Sequence, residues 1–84
     1  SGLNVNLFRN VDELELSVRS LNALKVAKIR TVEDLVQKTE ADLLKIKGFG
    51  RRFLKEIEMI IGEMNLRFGM VIDPDELEQF RSKY

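Results

Sequence analysis

The chain has 84 residues, 44% apolar and 33% charged, with 14 Lys/Arg balanced by 14 Asp/Glu and neither cysteine nor histidine. That length supports one small domain; the missing cysteines exclude a disulfide framework or thiolate metal site, and the missing histidines remove the commonest general base, so no catalytic residues, metal or cofactor are expected. No apolar run approaches the roughly 20 residues of a membrane span and nothing at the start resembles a signal peptide, which makes the expected location cytoplasmic.

Ser1-Gly2 reads as a cloning remnant, and residues 1–6 as remnant or linker ahead of a domain over 7–69. Leu3 to Leu16 keeps no period, so Leu7, Phe8, Val11, Leu14 and Leu16 are expected to wrap the core as an irregular or short helical segment. Ser17 is a good N-cap for a first helix to about Lys28, with Val18, Leu21, Leu24 and Ala27 expected on its buried face. Thr31 opens a second helix, about Val32 to Lys38, with acids in its first turn and Val32, Leu35 and Val36 inward. Thr39 opens a third, about Glu40 to Ile46, which ends at Gly48.

The fourth and longest helix is predicted over about Arg51 to Asn65, with an apolar stripe of Leu54, Ile57, Ile60, Ile61 and Met64. Gly62 weakens it by about 1 kcal/mol relative to alanine and is expected to permit close packing. Asp73-Pro74-Asp75-Glu76 is a helix start, so residues 70–84 are expected to form an extension with a short acidic helix, Pro74 to about Ser82, able to dock through Leu77 and Phe80. Its acids lack the glycine and ligand spacing of a calcium loop. The expected fold is all-α: a compact bundle of about five short helices containing a helix-hairpin-helix-like motif.

That motif is Ile46-Lys47-Gly48-Phe49-Gly50-Arg51-Arg52-Phe53-Leu54. A Gly-x-Gly turn lets another backbone approach, and the helix starting after it aims unpaired N–H groups and the positive end of its dipole outward, where Arg51 and Arg52 add full charges. This suits a phosphate; the plainer alternative is a helix connection with solvated arginines. The charge distribution bears on the choice, because residues 19–55 hold ten Lys/Arg against four acids, +6, and the remainder carries −6. Such a dipolar domain can present a basic face to nucleic acid and an acidic one to a protein.

The sequence resembles the C-terminal domain of the bacterial RNA polymerase alpha subunit. The likeness runs without gaps from about Leu7 to Leu66 and is carried by Val11-Asp12-Glu13-Leu14-Glu15-Leu16-Ser17-Val18-Arg19-Ser20, by Asn22 and Leu24-Lys25, by Asp34-Leu35-Val36-Gln37-Lys38-Thr39-Glu40, by Leu43-Leu44-Lys45, and by Gly50-Arg51-Arg52. The resemblance implies a DNA-binding, non-enzymatic module of a nucleotidyltransferase, tied to the rest of RNA polymerase by a flexible linker, monomeric in isolation and located at the bacterial nucleoid. It implies binding to the minor groove of A·T-rich double-stranded DNA through Arg19, with Asn22 beside it, and through Gly50, Arg52 and Glu56. Lys25, Gly48 and Arg51 join that expected surface, and Glu56 is expected to orient Arg19 or Asn22. Asp12, Glu13 and Glu15 match a surface that meets a basic patch of sigma factor, and transcription activators are further expected partners.

Four departures stand out. Phe53 occupies a position where the family commonly has a hydroxyl able to hold a phosphate, so that one backbone contact is lost or the ring packs inward. Gly48-Phe49 replaces a more polar turn. Ala27 replaces an acid used by particular activators, and Lys28 stands where a small residue is usual. Two competing readings remain on sequence alone: a sequence-independent helix-hairpin-helix domain of a repair or recombination protein, and a protein-interaction domain whose arginines pair with carboxylates.

Overall fold

The computed structural model describes residues 2–84, so Ser1 and the part of the remnant reading that rests on it lie outside the described residues. Two 3-10 turns, Val5–Phe8 and Val11–Glu13, precede five α-helices: α1 Val18–Val26, α2 Val32–Val36, α3 Glu40–Leu44, α4 Arg51–Glu63 and α5 Pro74–Arg81. Among the described residues the only strand-like pairing is an isolated antiparallel bridge between Asn10 and Thr31, made as Val11 N–H donates to the Arg30 carbonyl and Val32 N–H to that of Arg9. The all-α architecture expected from the sequence is the one observed.

Helices of five residues do not survive alone, because nucleation costs more than one turn of hydrogen bonds returns. Their ends are therefore fastened. Thr31 with Asp34 and Thr39 with Asp42 form reciprocal capping boxes at the starts of α2 and α3, and Asn10 with Glu13 forms a third on the second 3-10 turn. Each cap contributes about 1 kcal/mol. The far ends are held by packing: Val32, Leu35, Val36 and Leu43 are completely buried in one apolar cluster with Leu7, Leu24, Ile57 and Ile61.

Helix α1 buries the expected Leu24 and packs Leu21 and Ala27 partly against the core, but its inward face is turned away from Val18. Ser20, Ala23 and Leu24 point inward, whereas Val18 is 74% exposed and Leu21 only half-buried. The three-residue spacing of Val18, Leu21 and Leu24 drifts round a 3.6-residue helix, and the small residues Ser20 and Ala23 share the inward side with Leu24. Buried Ser20 is not orphaned, since its hydroxyl lies 3.0 Å from that of Ser17. The helix stops by a Schellman arrangement in which Ile29 N–H reaches the Leu24 carbonyl and Lys28 N–H that of Lys25, with Lys28 in the left-handed region at φ 63°. Asn65 ends α4 in the same way at φ 60°.

Helix α4 buries Leu54, Ile57 and Ile61, with Ile60 and Met64 partly covered, so its expected stripe is present. Gly62 is different: nothing lies within 4 Å of where its Cβ would stand, so it permits no close packing. Residues near both ends belong to the same core. Leu3 packs on it, Asn4 Nδ2 donates to the Met64 carbonyl at 2.9 Å, and Met70, Ile72 and Leu77 are buried. Gly69 and Met70 donate backbone hydrogen bonds to the carbonyls of Lys38 and Val36, which returns the backbone past α2 and sets α5 against the first 3-10 turn.

Candidate nucleic-acid interface

Two helix N-termini define the candidate face. At α1, Ser17 accepts from Ser20 N–H through its side chain, and Arg19, Asn22 and Lys25 follow at three-residue spacing, all exposed. At α4, Gly50 is the N-cap and has no side chain with which to satisfy the first-turn N–H groups; no acid occupies that turn, and Arg51 and Arg52 are exposed within it. Gly48 adopts φ 84°, the left-handed conformation that lets α3 turn into α4 at little steric cost. A helix start with open N–H groups, a favourable dipole and two cations is an anion-binding arrangement.

The two starts are joined by contacts from one face of α4. Phe53 and Glu56 lie three residues apart, and both reach the beginning of α1. The Glu56 carboxylate accepts the Ser17 backbone N–H at 3.0 Å, while the Phe53 ring sits 5.8 Å from the Arg19 guanidinium carbon. Glu56 therefore braces the α1 start through its backbone and forms no hydrogen bond or ion pair with Arg19 or Asn22, contrary to the orienting role expected for it. Phe53 is half-buried and packs edge-on against buried Phe49, with ring centroids 6.4 Å apart. The paired spacing of Phe53 and Glu56 was visible in the sequence; that it meets Ser17 and Arg19 was not, because it depends on how α1 and α4 cross.

Lys25 is engaged differently, forming an ion pair with Asp12 at 3.2 Å in which both side chains are more than half exposed. This joins the expected DNA surface to the expected protein surface. Of the other two acids, Glu13 accepts Asn10 N–H at 2.8 Å and approaches Arg9 at 3.9 Å, whereas Glu15 is exposed and makes no ion pair with a described residue. At the start of α3, Thr39 donates its backbone N–H to Asp42, and this hydrogen bond, with the Thr39 side chain second, holds the Asp42 carboxyl below its ordinary range.

No helix among the described residues is long and apolar enough to cross a membrane. Residues 3–63 match the family model of the C-terminal domain of the bacterial RNA polymerase alpha chain. The DNA-directed RNA polymerase alpha subunit of Oleidesulfovibrio alaskensis is 56% identical over 73 residues, spanning 87% of this sequence and 21% of that protein. That of Lawsonia intracellularis is 58% identical over 73 residues, again 87% and 21%, and that of Pelobacter propionicus 51% over 85 residues, 96% and 25%. The chain thus spans about a fifth to a quarter of the length of these relatives. The NMR structure of the C-terminal domain of the RNA polymerase alpha subunit from Helicobacter pylori has the same fold, with a TM-score of 0.71 at 24% identity over 93% of this chain and 68% of that one. A sequence match over most of the length and this shared fold lead to one assignment: the protein belongs to the family of C-terminal domains of bacterial RNA polymerase alpha subunits.

Proposed function

We propose that the domain binds the minor groove of A·T-rich DNA upstream of promoters and, tethered to RNA polymerase, strengthens transcription initiation. The observation that carries this reading is the joining of the α1 and α4 N-termini through Glu56 and Phe53, which sets the Arg19 cation beside the open N–H groups and arginines of α4. The α4 start suits backbone phosphates, and Arg19 suits the groove. A·T-rich tracts narrow the minor groove and deepen its negative potential, so an inserted arginine senses sequence through shape and selectivity is modest. Asn22, Gly48, Gly50, Arg51 and Arg52 complete the contact surface, and Lys25 forms its border.

Asp12, Glu13 and Glu15 form the second surface, suited to a basic patch of sigma factor seated on adjacent DNA. The Asp12–Lys25 pair supports the proximity of the two surfaces, and being exposed it contributes only about 0–1 kcal/mol, little enough to open when either partner arrives. A linker to the polymerase raises the effective concentration of the domain at the promoter, so weak intrinsic binding suffices.

The test is an NMR titration of the 84-residue protein with a short A·T-rich duplex and a G·C-rich control, at low and moderate salt, beside Arg19→Ala. Shifts clustered at Arg19, Asn22 and Gly50 to Arg52, larger for the A·T duplex and lost in the variant, are expected. Log affinity should fall with log salt at a slope of about −2 to −3, from about 0.9 per neutralised phosphate. An equal response to both duplexes would leave only backbone binding, and no response at low salt would leave protein recruitment alone.

A further inference from the structure

Arg19 is exposed and makes no ion pair with any described residue, yet its guanidinium carbon lies 5.8 Å from the centre of the Phe53 ring. We propose that Phe53 is a positioning and selectivity residue, its ring serving as a platform that holds the Arg19 guanidinium beside the N-terminus of α4, ready to enter the groove. This rests on the minor-groove reading above.

The platform is itself anchored. Phe53 stands in the first turn of α4, half-buried, and its ring meets Phe49 at an interplanar angle of 63°. Phe49 is only 5% exposed, and its backbone N–H donates to the Ile46 carbonyl, so the ring pair is fastened to the turn between α3 and α4. Moving Phe53 would mean moving that turn.

An aromatic face suits the task better than a carboxylate. An arginine has many rotamers, and groove entry must freeze most of them; a partner that already limits them reduces that loss. A carboxylate would do so while cancelling the charge that the groove needs, as Asp12 does for Lys25 across 3.2 Å. A ring attracts the cation through its quadrupole and leaves the full charge available to DNA. Phe53 has no polar atom to offer a phosphate, whereas the open N–H groups of α4 and the Arg51 and Arg52 side chains remain. Its influence should therefore fall on the groove contact, which carries A·T preference, and not on the phosphate contacts that set the salt dependence.

The experiment has two arms on the 84-residue protein. In the free protein, the Arg19 side-chain δ protons should carry a ring-current shift that Phe53→Leu removes and Phe53→Tyr keeps. In titrations, Phe53→Leu should lower affinity for the A·T duplex about two- to fivefold, the size of an exposed cation-π contact. Affinity for the G·C duplex and the salt slope should stay unchanged, and Phe53→Tyr should restore the wild-type ratio. Phe53→Met, closer in length, replaces Phe53→Leu if that variant loses its dispersed amide spectrum. Absence of the ring-current shift overturns the platform. So does an A·T to G·C ratio that Phe53→Leu leaves unchanged or raises, while the minor-groove reading stands. A wild-type protein that treats both duplexes alike overturns the minor-groove reading and this role with it.

Discussion

Two arginines of this domain lie over phenylalanine rings and end in opposite conditions. Arg81 of α5 sits 4.5 Å from the Phe8 ring centre and is also 3.6 Å from Glu33 of α2 and 3.6 Å from Glu78 of its own helix. Phe8 further packs at a tilt against Phe80 at 5.9 Å, and Phe80 against Tyr84 at 5.0 Å. Arg19 has the Phe53 ring at 5.8 Å and, among the described residues, no carboxylate within ion-pair distance. The first arginine, though half-exposed, has two carboxylates near it to offset its charge, and it helps fasten the last helix to the first turn. The second is placed but not neutralised. A shared motif thus serves stability where anions surround it and availability where helix N-termini do.

That contrast breaks most visibly in a double dissociation. Arg19→Ala should reduce A·T-duplex affinity tenfold or more, in keeping with about 1–3 kcal/mol for a groove or base-edge arginine, while leaving the urea midpoint unchanged. Phe80→Ala should do the reverse, losing about 2 kcal/mol of stability because its ring is only partly buried, with DNA affinity of the folded fraction intact. If Phe80→Ala weakens DNA binding in the folded protein, α5 is not merely structural.

A smaller effect tests the brace between α4 and α1. Glu56→Ala removes the acceptor of the Ser17 N–H and should weaken DNA binding about threefold, a loss of order 0.6 kcal/mol, typical of one exposed hydrogen bond. Glu56→Gln keeps an acceptor oxygen and drops a negative charge beside the proposed DNA face, so fluorescence anisotropy should give an affinity at or above wild type. Equal losses in both would show that the charge matters and the brace does not.

At the opposite end of α1, Lys28 holds φ 63° without being glycine. Lys28→Gly relieves that conformation and should stabilise the domain by about 0.5–1 kcal/mol in urea unfolding, with Arg19 and DNA affinity undisturbed. The smallest effect concerns acid. Because the folded domain holds the Asp42 carboxyl below its ordinary value, Asp42 contributes stability above about pH 4 that is lost as pH falls through the lowered folded value. Asp42→Asn keeps an oxygen for the Thr39 N–H but cannot titrate, so its unfolding free energy should vary less with pH across that window.

Much of this was legible along the sequence. Ser17, Thr31, Thr39 and Asp73 announce helix starts through local chemistry, each accepting a backbone N–H of its own first turn, and all four cap as expected. The stripe of α4 was equally readable, because a helix long enough to show its period has few faces to choose from. The buried face of α1 was only partly so: Leu24 is buried as expected, but Val18 outranks Ser20 and Ala23 in hydrophobicity and lies exposed while they turn inward. Gly62 likewise looked like a packing glycine and lies open.

The candidate site divides along the same line. Residue order alone set the open N-terminus of α4, its flanking Arg51 and Arg52 and the cation at the start of α1, because caps, dipoles and charges act within a turn of their own backbone. What Arg19, Glu56 and Lys25 actually meet was decided by the crossing of α1 with α4 and by the path of the second 3-10 turn. Those contacts join residues 34, 39 and 13 positions apart through Phe53, Ser17 and Asp12. No local pattern encodes such separations; they follow from how one shared core of Leu24, Leu43, Ile57 and Ile61 closes.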